Sequence, residues 1–240
     1  MRTSRACAEH DWARITTGSA FTALGLGVVG MAFERADPAV MSAGPEELAA
    51  WARKHHRALT AQSATYLLST APLLVFFGGL RACLRPRRGA AGHRVEPSLA
   101  VLAGGSAWVL ANAGAQTAQV AMARDAARGA PAPVVAAHAD RMRALLTGGN
   151  AALGGALAAT AAATSRDGGL PRWLGRLSAA AALAHVTPLV ARLLRGPRPG
   201  QTGVDLLPYP LFVAWLVGVA VVLARRGPVA HDSARVRLRR

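Results

Sequence analysis

Three amides, Asn112, Gln116 and Gln119, stand in a stretch from Pro97 to Ala123 that contains no charged residue. Their spacing is four, then three. At 100° per residue such a set occupies one arc of a helix about 60° wide. Amide side chains donate and accept hydrogen bonds. Grouped on one face they can hold a neutral polar solute, or they can bond a neighbouring helix. Facing hydrocarbon they would be costly, so the stripe must face protein or a water-filled cavity. Trp108 and Gly105 extend it. The partners available by type are Asn150, His185 and the polar run Gln62, Ser63, Thr65, Tyr66, Ser69 and Thr70. Asn112, Gln116, Gln119, Asn150 and His185 therefore define a candidate polar cavity. The competing role of the same residues is interhelical hydrogen bonding, which contributes about 0.6 kcal/mol on average in membrane bundles.

Other chemistry finds less support. His185 is the one titratable residue deep in an apolar run, where it can relay a proton, ligate, or bond a neighbouring helix. A haem held between helices would need a second histidine at that depth. His55, His56 and His138 lack the H-x-x-x-H spacing of a helical metal site, so no metal and no other cofactor is implied. Ser106, in "GGSAW", needs a base to act as a nucleophile, and only His185 is available. Ser106 also lies about 120° from the amide stripe. No Asp, Glu, Lys or Arg falls deep in an apolar run, which argues against ion-coupled transport. With no coherent set of catalytic roles, the chain reads as non-enzymatic.

The elements that carry these residues are long apolar segments. A membrane helix needs about 20 apolar residues. Six runs qualify, at approximately 15–33, 58–80, 98–123, 144–165, 173–194 and 206–224. The fifth is the shortest between its charges, and spans if Arg176 and Arg192 extend to the two interfaces. The first is too long for a signal peptide, and Glu9 and Asp11 spoil a basic leader. The expected fold is all-α: a polytopic transmembrane bundle in one membrane domain, 15–226. An N-tail, 1–14, and a basic, unstructured C-tail, 227–240, flank it.

The chain has 240 residues, 52% of them hydrophobic, and a formal charge of +16. A soluble protein with that charge would suggest nucleic-acid binding. Here the basic residues punctuate apolar runs, and aromatics are only 5%, so nucleic acid is not the expected partner. Arginines crowd the loop after span two and the C-tail, which places both termini on the cytoplasmic side of the plasma membrane. The C-tail would then contact anionic lipid headgroups. Cys7 and Cys83 fall on the same reducing side and are expected as thiols.

Two further segments carry structure. In "GPEELAAWARKHHR", Pro45 followed by Glu46 and Glu47 is a helix start, and Leu48, Trp51 and His55 share a face. This predicts a short helix, lying on the outer leaflet or solvated in the loop, that leads into span two. Span four is nearly all small residues, with stripes Gly148-Ala152-Ala156-Thr160-Thr164 and Ala151-Gly155-Ala159-Ala163. Small stripes let backbones approach closely in lipid, so span four is expected at the centre of the bundle. Pro72 and Pro188 fall inside their spans and predict kinks, and Pro208 and Pro210 interrupt span six.

"SAGPEELAAW" running on through "HRALTAQSATYLLS", then "GGLRACLR", then "LPRWLGRLSA" resemble segments of an uncharacterised family of bacterial six-helix membrane proteins known only as a domain of unknown function. The likeness runs from about Arg14 to Arg226. It implies an integral membrane bundle and no assigned activity. Three functions are then in view. The first is a polar cavity for a small neutral or amphipathic solute. The second is a structural or accessory subunit, in a homo- or hetero-oligomer, assembled through small-residue packing. The third is an intramembrane enzyme built on Ser106 and His185.

Overall fold

The computed structural model describes residues 2–34, 44–84, 96–167, 170–195 and 208–225. Among them every regular element is helical. The helices are α1 (Arg2–Ala32), α2 (Pro45–Leu68), α3 (Thr70–Leu84), α4 (Pro97–Ala127), α5 (Ala132–Asp167), α6 (Arg172–Arg195) and α7 (Pro208–Arg225). The expected N-tail is thus part of α1, and the C-tail lies outside the described residues.

Among the described residues, four segments are long and apolar enough to cross a membrane: Asp11–Ala32, Pro45–Leu84, Pro97–Ala127 and Pro208–Arg225. These hold the first, second, third and sixth of the expected spans.

α2 and α3 are one rod with a single fault. Ser69 keeps helical angles, φ −73° and ψ −13°, and the bond from Leu73 N to Ser69 O continues the ladder. Pro72 has no N–H to offer the carbonyl four residues back, so the regular pattern lapses one residue after Leu68. The helix starts at Pro45 with Glu46 and Glu47 in its first turn, as their order predicts. It does not stop at the apolar stretch. Its N-terminal half packs on α4 and α5, so the short separate helix expected there is replaced by a continuous one. Pro208 and Pro210 lie in the first turn of α7, where a missing N–H costs nothing, and do not interrupt it. α6 runs through Pro188.

Consecutive helices pack antiparallel and α7 returns to α1, so α1, the α2–α3 rod, α4, α5, α6 and α7 close a ring. α5 lies between α4 and α6 and also touches α2 and α3. Its first small-residue stripe is buried from Ala156 to Thr164, while Gly148 and Gly155 are exposed. The close approaches are made by single glycines. A Cβ on Gly104 would stand 2.7 Å from the carbonyl oxygen of Ala152, and one on Gly154 2.6 Å from Val186 Cγ2. At the turn after α4, Gly129 takes φ 76°, the one positive φ among the described residues, and lets Ala130 N reach the Asp125 carbonyl at 2.9 Å.

The main core joins α1, α3, α4, α5, α6 and α7. At its middle Phe76, Phe77, Trp108, Phe212 and Trp215 are in mutual ring contact, with Trp108 and Phe212 at 4.8 Å between centroids. A second cluster joins α2, α4 and α5 at and beyond the ends of their apolar stretches. Leu48, Ala52, Leu59, Met122, Val135 and Ala139 belong to it.

Candidate functional site

The amide stripe of α4 faces inward. Leu110 on the same helix is 61% exposed, and Asn112 lies about 160° round the helix from it. The rotation follows from the pattern that predicts it: exposed Ala103, Ala107, Leu110 and Thr117 take the outer face, and the amides take the other.

α2 supplies the interhelical partner. Gln119 Nε2 donates to Gln62 Oε1 at 2.8 Å. Further along the same seam the Phe77 ring fills the space beside Gly105 that a Cβ would need. Those two contacts fix α2–α3 antiparallel to α4. Gln116 Nε2 donates to Asn112 Oδ1 at 3.4 Å, a long bond within one helix. Its own Oε1 is buried with no partner among the described residues, as is Ser63 Oγ on α2. Gln116 is 8% exposed and Ser63 0%.

Asn150 and His185 belong to the two helices on the other side of the interior. Asn150 is half-buried and makes no side-chain hydrogen bond among the described residues. Its neighbours Leu153 and Gly154 are buried, while Gly148 and Gly155 take the exposed face, so Asn150 too is turned from the outside. His185 is buried, with Nδ1 2.8 Å from the Ala181 carbonyl oxygen and its ring edge-on to Phe212 at 6.3 Å. A carbonyl only accepts, so Nδ1 carries the hydrogen and Nε2 of the neutral ring is an acceptor. The absence of a side chain at Gly154, whose Cβ would stand 3.6 Å from that of His185, lets α6 come in this close.

The five candidate residues therefore all turn inward, but hydrogen bonds join only Asn112 to Gln116 and Gln119 to Gln62. No hydrogen bond links Ser106 to His185 among the described residues, nor is there a group of three metal-ligating side chains there. The sequence offered Ser63 and Gln62 only as members of a polar run. A further polar link went unread: Trp215 Nε1 donates to Ser178 Oγ at 2.9 Å, and that hydroxyl donates to the Leu174 carbonyl. The signal for it is a lone serine opposite a tryptophan in two apolar helices, which sequence alone does not place face to face. No family model, curated protein or solved structure matches the chain.

Proposed function

We propose that the chain is a non-enzymatic, multi-pass protein of the plasma membrane with six spans and both termini cytoplasmic, like the family its sequence resembles. Its interior, bounded by Asn112, Gln116, Asn150 and His185, binds a small neutral or amphipathic solute. One observation carries the reading: Asn112 keeps half-buried accessibility although it points away from the exposed face of α4. A polar group turned from the outer face of α4 faces the interior of the bundle and not lipid. Uncharged lining suits a solute without net charge. Purification in native lipid, followed by mass spectrometry of what stays bound, is the test. A recurrent small molecule, lost on Asn112→Leu, supports the reading. Recovery of the chain from the soluble fraction, or preparations that carry only bulk lipid, overturns it.

A second reading has its own support. The Gln119–Gln62 bond and the close approaches at Gly104 and Gly154 are what a structural subunit needs to hold its helices. A stable protein partner in the same preparation, with no small molecule, favours that reading.

A further inference from the structure

Four arginines frame one end of the α2–α4 seam. The Gln62–Gln119 bond fixes the register of these antiparallel helices. Arg57 stands five residues before Gln62 and Arg124 five after Gln119. The two therefore share a level, about 7.5 Å along the axis from that bond. Arg53 and Arg128 follow four residues, about 6 Å, farther out on the same stripes. The register holds at this end, because Arg53 Nε donates across the seam to the Ala126 carbonyl oxygen at 3.1 Å. That bond steadies the guanidinium and leaves both its Nη groups. All four arginines are exposed, so a ligand can reach them.

Their charge is not answered within the chain. None of the four joins an ion pair among the described residues, whereas Asp125 is held by His138 and Asp140 by Arg143. The C-terminus of α4 carries about half a negative charge, against four positive ones. Depth decides what the counter-ion is. Arg57 and Arg124 are the first charged residues past the charge-free stretches 58–80 and 97–123. The headgroup layer extends about 5–8 Å beyond the hydrocarbon on each side. The inner pair thus stands at its lower edge, and the outer pair about 6 Å above, within reach of lipid phosphates. A guanidinium matches phosphate in charge and in the fork of its N–H groups. In the proposed topology this is the outer end, where arginine is the minority, so a cluster there calls for an anion.

We propose that Arg53, Arg57, Arg124 and Arg128 form a headgroup site for an anionic phospholipid of the outer leaflet. The inference rests on the membrane reading above and adds a lipid ligand to it. Native mass spectrometry of the full chain, released from nanodiscs of phosphatidylglycerol and phosphatidylcholine with matched acyl chains, reads which lipid stays bound. Phosphatidylglycerol should be retained in preference. Arg57→Gln with Arg124→Gln should lower that preference about thirtyfold, the share of two basic residues near a charged surface. Arg53 is left in place in that variant, since it also caps α4. Arg141→Gln with Arg143→Gln removes the same charge from α5 and should leave the preference within about threefold of wild type. Equal retention of the two lipids by the wild-type chain, or equal losses in the two double variants, overturns the site. Displacement of the lipid by millimolar inorganic phosphate also overturns it, in favour of a soluble anion. A chain that stays in the membrane without the preference fails this site alone, whereas recovery from the soluble fraction fails the membrane reading itself.

Discussion

Gln119 and Gln62, 57 residues apart in the chain, meet at 2.8 Å in a buried seam between α4 and α2. Each is the other's way of burying an amide among apolar neighbours. Replacing one by Leu strands the other, so Gln62→Leu and Gln119→Leu should each destabilise by about 1–3 kcal/mol. The double variant should lose less than the sum of the two. Unfolding by SDS in mixed micelles, run as a double-mutant cycle, measures this. Strictly additive losses would show that the pair does not couple.

Gly104 and Gly155 give a matched contrast. A methyl at Gly104 meets the backbone oxygen of Ala152, which cannot swing aside, whereas nothing lies within 4 Å of a Cβ at Gly155. Gly104→Ala should cost about 1–3 kcal/mol through overpacking of α4 on α5. Gly155→Ala should be neutral or slightly stabilising, since Ala is the better helix former. Thermal melting of both variants in one detergent tests the pair, and equal melting points would contradict the packing.

Trp215 is fully buried, stacked with Phe212 at 5.8 Å and bonded to Ser178. Trp215→Phe keeps the ring contacts and loses the donor. Ser178 can still donate to Leu174, so the loss should be near 1 kcal/mol. Trp215→Ala opens a cavity in the centre of the ring and should cost about 3–5 kcal/mol. Chemical unfolding followed by the remaining tryptophans separates the two cases.

The pair His138 and Asp125, at 2.9 Å, closes the turn between α4 and α5, with side chains 26% and 31% exposed. Solvent screens such a pair, so His138→Gln should change stability by less than about 1 kcal/mol. A larger loss would mean that the turn organises more of the molecule than its contacts indicate.

How much of this was legible beforehand differs by residue. The inward turn of Asn112, Gln116 and Gln119 follows from their spacing, because helical rotation is set locally. Their pairing does not. Gln62 was one of six polar residues in span two, and which of them faces Gln119 depends on the register between two rods. That register is set by contacts such as Phe77 beside Gly105, between residues far apart in sequence. The continuity of Pro45–Leu84 was hidden for another reason. "ARKHHR" reads as a break in hydropathy, but charge ends an apolar stretch without ending a helix. In span six, Pro208 and Pro210 looked like interruptions only because the start of α7 was placed two residues early. The unpaired Gln116 oxygen was beyond sequence altogether, since it is defined by what its neighbours fail to supply.

Leu48, Ala52, Ala126, Val135 and Ala139 of the second cluster lie past Arg57, Arg124 and Arg143, where the apolar stretches of three helices end. The α2–α3 rod, 40 residues and about 60 Å long, is twice the thickness of the hydrocarbon it would cross. In the proposed topology the two ends of one helix therefore stand in different solvents. Water drives the outer cluster together, a force that weakens on cooling. Within lipid that force is absent, and close backbone packing and amide bonds must do the holding. Cold should loosen one half of α2 and detergent the other.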